Sequence, residues 1–327
     1  MGEFELLAKL RKRLPSPGPR LRVGMGDDAA VSVPGGATAT SVDAIVDGIH
    51  FRRSQATLPQ VGHKALATAL SDLAAMGAEP GEAYVTLGVP SDLGEEGCME
   101  LLDGLLELAV ATGTSLAGGD VTRSGQLFLA MTVVGHAGAA EELVTRSGAH
   151  PGDALVLTGE IGGAAAGLLA LEYPEAAVVA PVEAAERLRA RQLEPQPRLA
   201  SGRALALAGA TAMIDLSDGL GGDAAHLAEA SGVRLRIDPD AAPLADGVAQ
   251  IAAVTGNSLW SLALSGGEDY ELLAALPAER VEEAMAAVEK AEGIGLTRIG
   301  EVEPGEGVEI KPRGGGPVEP RGYDQLG

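Results

Sequence analysis

Thr211-Ala212-Met213-Ile214-Asp215-Leu216-Ser217-Asp218-Gly219-Leu220 is the stretch from which the fold is read. Thr211–Ile214 is a short β-prone run and Gly221–Ala230 has helical composition, so a strand here feeds directly into a helix. The strand delivers Asp215, Ser217 or Asp218 is placed to cap the helix, and the open N–H groups and positive dipole of that helix end suit a phosphate. One carboxylate would serve a cap. Two of them, with Asp223 about one turn further on, point to a cation held beside the capped end.

The same alternation extends both ways. Toward the C-terminus strands are predicted at Val233–Ile237, Tyr270–Leu276, Leu296–Val302 and Val308–Lys311, with a helix at Glu279–Ala291. Toward the N-terminus come helices at Pro197–Leu207, Glu183–Gln192 and Ile161–Leu171 and a strand at Ala154–Leu157. Further back lie strands at Leu127–Val134, Ser115–Ala117 and Glu82–Val89 and helices at Gly94–Ala111 and Pro59–Met76. Ala29–Val33 and Thr38–Ile45 read as a hairpin across Pro34-Gly35-Gly36, and Met1–Lys12 as a short amphipathic helix. This order makes a mixed α+β and α/β chain, not a bundle or a sandwich. Gly135–Asp153 loses periodicity, so the boundary between two domains, residues 1–140 and 141–327, is placed there.

Composition narrows the function classes. Asp and Glu outnumber Lys and Arg, 46 to 24, and the net charge of −22 repels nucleic-acid phosphates and anionic membrane surfaces. Aromatics at 2% leave few stacking platforms for bases. No apolar run is long enough to span a bilayer and the acidic start is no secretory signal, so a cytoplasmic protein is expected, with no membrane or nucleic-acid partner. A lone cysteine, Cys98, forms no internal disulfide, and scattered histidines argue against zinc. There is neither a Walker A loop nor a Gly-x-Ser-x-Gly elbow. A polyphosphate bound by so acidic a chain is expected to arrive with cations.

The remaining acids recur at element ends. Asp28 sits in Gly26-Asp27-Asp28, Asp43 lies inside a β-branched run, and Asp72 is nearly the only charge on its helix, among small residues. Gly118-Gly119-Asp120 follows a short strand, where bare backbone can approach an anion and the Asp can hold a cation against it. Ser265-Gly266-Gly267-Glu268-Asp269 repeats the design. Each alone could be an ordinary turn or a solvated loop. Together they are hard oxygen ligands suited to Mg²⁺ carrying a polyphosphate, and phosphoryl transfer needs positioning and charge neutralisation more than a strong base.

Gly26–Ala30, Ser41-Val42-Asp43 with Gly48-Ile49-His50-Phe51, Leu70–Ala78, Gly118-Gly119-Asp120, Thr145-Arg146-Ser147-Gly148, Ile214–Leu220 and Ser265–Leu272, in that order, resemble the thiamine-monophosphate kinase family across nearly the whole chain. The resemblance implies the two-domain aminoimidazole ribonucleotide synthetase-like fold, with an N-terminal sheet that pairs across a homodimer and a C-terminal α/β domain. It implies ATP-dependent phosphorylation of thiamine phosphate to thiamine diphosphate by direct in-line transfer. By position, Asp28, Asp43, Asp72, Asp120, Asp215 and Asp218 would hold several Mg²⁺ ions, with Ser41 and the backbone carbonyl of Val42, which stands where the family usually has Thr. Gly119, Asp120, Arg146 and Ser217 would contact ATP. His50 and Glu268 would contact thiamine phosphate, and Tyr323 is the candidate aromatic neighbour of its thiazolium ring. A hydrogenase-maturation relative of the same fold is expected to carry a C-terminal cysteine, whereas the only one here is Cys98. A non-catalytic nucleotide- or cation-binding protein is the other alternative.

Overall fold

Period-two burial along Phe128–Ala137 organises the first of two compact units. The computed structural model describes residues 9–25, 29–313, 318–319 and 322. Asp28, Tyr323 and most of the expected Met1–Lys12 helix lie outside them. The two units are Met1–Leu73 with Ala78–Ala140, and Ala74–Gly77 with Glu141–Gly327.

In the first unit β1 (Leu21–Val23) pairs with β2 (Val31–Ser32), while β3 (Ala37–Val46), β4 (Glu79–Val89), β5 (Ser115–Arg123) and β6 (Phe128–Ala137) form a four-stranded sheet in the order β3-β6-β4-β5. Only the β4–β5 pair is parallel. Helices α1 (Leu58–Ala75) and α2 (Glu95–Thr112) pack at backbone distance: a Cβ on Gly62 would lie 1.9 Å from the Leu101 carbonyl oxygen, and one on Gly104 2.0 Å from that of Pro59. Leu129, Met131 and Val133 fill the buried face of the sheet, and Leu73 of α1 lies over Gly135 in the same row.

Two expectations change here. The predicted hairpin does not form, because β2 pairs with β1 and β3 with β6. A Cβ on Gly36 would stand 2.3 Å from the Gly138 carbonyl oxygen, so this glycine carries the chain past the end of β6 instead of turning it back. Gly118-Gly119-Asp120 is not a loop after a short strand but the middle of β5, where a Cβ on Gly119 would meet the Val85 carbonyl oxygen at 2.0 Å. Strands β4 and β6 bury one face; the other, with Tyr84, Thr86, Phe128, Ala130 and Thr132, is half-buried within the chain.

The second unit holds six strands: β7 (Asp153–Thr158), β8 (Ala212–Asp215), β9 (Arg234–Ile237), β10 (Leu272–Pro277), β11 (Leu296–Glu303) and β12 (Gly307–Ile310), ordered β12-β9-β11-β7-β10-β8. Every residue of β7 and β8 is buried, as expected of strands covered on both faces. One core joins Leu155, Leu157, Ile214 and Leu273 to α7 (Leu220–Ser231). The other joins Val156, Met213 and Leu272 to α6 (Leu199–Leu207) and α10 (Val281–Glu292). A third gathers α3 (Gly163–Glu172), α4 (Pro174–Ala177), α5 (Val182–Leu193), α8 (Val248–Thr255) and α9 (Leu259–Leu264). The last two helices went unread in the sequence, because their mostly apolar run has no polar face to mark its period.

Candidate functional site

In the first unit the sheet sorts the expected ligands by face. Ser41 and Asp43 alternate with Val42 along β3, and their partners Val133 and Met131 belong to the buried row, the side from which Ser41 donates its hydroxyl proton to the Asp72 carboxylate of α1. Asp43 also accepts the Ala44 N–H at 2.8 Å. Val42 points the other way and is 68% exposed. Asp120 is in register with Thr86 on β5, at the far edge of the sheet from β3. Three strand spacings, about 14 Å, separate the two edges, so one chain does not bring Asp120 to Asp43.

His50 ends a tight turn in which its N–H donates to the Val46 carbonyl at 3.0 Å. Its Nδ1 accepts the Val46 N–H at 3.1 Å. A neutral imidazole bound this way carries its proton on Nε2 and presents a donor, the polarity that a phosphate oxygen requires.

In the second unit the loop after β8 departs from expectation at the cap. Neither Ser217 nor Asp218 stands at the N-cap of α7; Gly219, at φ 102°, holds that position and has no side chain to cap with. The Asp223 carboxylate instead reaches back to accept the Asp218 N–H at 3.0 Å. A glycine N-cap brings no side-chain acceptor of its own to the backbone donors of the opening turn, the groups that suit an anion. Burial, followed by the like charge of Asp215, pushes the Asp223 carboxyl up to about 8; Asp218 adds to the repulsion, while its own N–H and Arg146 oppose it. Arg146 is thereby placed beside this cluster on an exposed loop, where its carbonyl takes the Ser231 hydroxyl at 2.9 Å.

The acids of the Gly266–Glu271 segment divide three tasks that their sequence does not distinguish. The backbone N–H of Glu268 donates to the Ser217 carbonyl at 2.8 Å, so this loop and the α7 entry are one construction. Glu268, at φ 69°, accepts a hydrogen bond from Gln192 Nε2 at 2.5 Å. Asp269 accepts the Gly162 and Ala164 N–H groups at 2.7 and 3.0 Å and so caps α3; enclosure raises it to about 6 against those two donors. Glu271, fully buried, is gripped by Arg198 through two bonds of 2.8 and 2.6 Å and by the Thr158 hydroxyl at 2.8 Å. Gln192 and Arg198 had no signal in the sequence, since both stand in helical or Pro-rich stretches far from any glycine loop.

Among the described residues no three His, Cys, Asp or Glu side chains form a ready metal cage. The donor chemistry nevertheless fits Mg²⁺: the grouped acids are oxygen ligands, and Asp215, Asp218 and Asp223 are crowded enough to repel one another. Magnesium characteristically takes only one or two carboxylates and completes its shell with phosphate and water.

Residues 26–137 match the family described as AIR synthase related protein, N-terminal domain, and residues 150–312 its C-terminal domain. The chain is 40% identical over 278 residues to thiamine-monophosphate kinase of Mycobacterium tuberculosis strain H37Rv, covering 84% of this chain and 80% of that one. Its fold superposes on the crystal structure of thiamine-monophosphate kinase from Stenotrophomonas maltophilia K279a with a TM-score of 0.84 and 32% identity, covering 95% and 97% of the two chains. Against AaThiL complexed with AMPPCP and TMP the TM-score is 0.78 and the identity 31%, covering 99% and 97%. The hydrogenase maturation protein HypE in complex with ATP, at 20% identity and a TM-score of 0.74, shares the fold over 92% of this chain and 89% of that one. By identity and coverage together, the chain belongs to the thiamine-monophosphate kinase family, assembled from the two AIR synthase related domains.

Proposed function

We propose that this protein transfers the γ-phosphoryl group of ATP to the phosphate of thiamine phosphate, giving thiamine diphosphate and ADP, in the cytoplasm. The observation that carries this reading is the α7 entry, where a helix start with a glycine at its N-cap stands beside mutually repelling carboxylates. Likeness to AaThiL complexed with AMPPCP and TMP supports it. A phosphate oxygen of thiamine phosphate attacks the γ-phosphorus as the bond to the β-bridging oxygen breaks and ADP leaves with that electron pair. Arg146, the Ser217 hydroxyl and the Gly119–Asp120 backbone bind ATP, and His50 presents its Nε2 proton to the acceptor phosphate. Glu268 and Tyr323 receive the cationic, aromatic part of the substrate. Asp28, Asp43, Asp72, Asp120, Asp215 and Asp218, with Ser41 and the Val42 carbonyl, would hold Mg²⁺, which when bound neutralises the polyphosphate charge.

The site is completed in a homodimer. Its support is the half-buried, nearly uncharged sheet face with Val42 68% exposed, and the placement of Asp43 and Asp120 on opposite edges, which a second copy can bring together. Turnover of ATP with thiamine phosphate in Mg²⁺, abolished by chelator, is the test of the activity. A chiral γ-phosphorus should invert; net retention would rule out a single in-line step. ATP binding with no ADP released would instead support the non-catalytic reading. A hydrogenase-maturation role shares only the fold, and the lone thiol here, Cys98, is buried in α2.

A further inference from the structure

Gln192 is 4% exposed, and its side chain crosses from the last turn of α5 to the loop that carries Glu268. We infer that Gln192 is a positioning residue for substrate recognition: its amide sets the direction of the Glu268 carboxylate and so the affinity for the cationic part of thiamine phosphate. The inference rests on the reading of Glu268 as a substrate contact.

Glu268 is a residue whose direction needs setting. Its backbone is held at φ 69°, a left-handed conformation in which a side chain is disfavoured, directly after two glycines that pack too closely to accept one. A Cβ on Gly266 would stand 2.3 Å from the Leu262 carbonyl oxygen, and one on Gly267 2.4 Å from that of Ser217. Together with the Glu268 N–H bond to Ser217, this fixes the Cα of Glu268 against the α7 entry. Beyond the Cα a glutamate still has three rotatable bonds. Gln192 Nε2 constrains them by holding Oε2 at 2.5 Å. Gln192 is in turn fixed by a rigid base, because its neighbour Arg191 donates to the Glu160 carbonyl at 2.8 Å and Leu188, one turn earlier, is buried in the core of α3, α5 and α8. An amide suits the task better than a lysine or arginine: it donates to the carboxylate without adding a positive charge that would compete with a cationic ligand.

The test is steady-state kinetics on the full-length protein with Gln192→Met, which keeps the side chain's length and volume and deletes the donor. The Michaelis constant for thiamine phosphate is expected to rise about tenfold, with kcat and the constant for ATP within about twofold of the parent. Gln192→His, whose Nε2–H has a similar reach, is expected to recover affinity to within about threefold. Should Gln192→Met not fold, Gln192→Glu has the parent shape with an acceptor where the donor was, and the same loss is expected. An unchanged constant for thiamine phosphate would overturn the inference, as would parallel falls in kcat and melting temperature that Gln192→His does not rescue, since those mark a mere strut. Glu268→Gln separates the two levels: if it leaves the constant for thiamine phosphate unchanged, the reading of Glu268 itself fails.

Discussion

Glu271, just before β10, and Asp223, in the first turn of α7, are both buried acids, yet their surroundings set them opposite tasks. Glu271 meets a guanidinium fork, so its charge is compensated. Replacing it with Gln leaves Arg198 without its anion, and stability is expected to fall by about 3–5 kcal/mol, read as a lower urea midpoint in the fluorescence of Trp260, which packs on the second unit's core. Asp223 meets other carboxylates, and its folded carboxyl at about 8 lies above the ordinary 3.8. The folded state therefore holds a proton that the unfolded state has already lost, and stability present below pH 3.8 is given up as pH rises toward 8. In chelator the melting temperature is expected to drop across that window; Asp223→Asn should flatten the drop, and Mg²⁺ with ATP should offset it. An apo melting curve independent of pH in the parent would contradict this account.

At the scale of elements, glycine decides which helices and strands can touch. The α1–α2 contact is made at Gly62 and Gly104, where carbonyl oxygens occupy the space a methyl group would need. Gly62→Ala is expected to destabilise by about 1–3 kcal/mol in a thermal melt although Ala is the better helix former, because the clash is with backbone that cannot rotate away. Gly125→Ala, at a position with no neighbour within 4 Å, should change stability by less than about 0.5 kcal/mol. The same logic explains why Gly118-Gly119-Asp120 reads as a turn but folds as a strand. Gly119 is spent on close pairing with Val85, and composition alone does not distinguish a glycine that bends the chain from one that admits a neighbour.

For the whole molecule, the proposed homodimer is expected to form through the outer face of the four-stranded sheet. Thr38, Thr40, Val42 and Ala44 stand exposed along edge strand β3, continuous with the half-buried row of β6. Thr40→Arg, which places a charge on that face, is expected to give a monomer by light scattering at micromolar concentration, with turnover reduced at least about tenfold where the proposed dimer is what brings Asp43 and Asp120 to one site. A fully active monomer would refute the shared site.

Most of the order of strands and helices, and the acids gathered at element ends, were legible from residue types and spacing, since hydrophobic period and turn chemistry are local properties. The partners of those acids were not. Nothing local predicts that Glu268 meets Gln192, that Asp269 caps a helix that begins at Gly163, or that Glu271 takes Arg198. The hairpin failed for the same reason, as β3 found a better partner in β6 than its turn supplied in β2. Local sequence determined which groups are available; long-range packing decided which are charged, which are held and which edges of the sheet stay open, because desolvation and strand pairing depend on whatever the fold brings alongside.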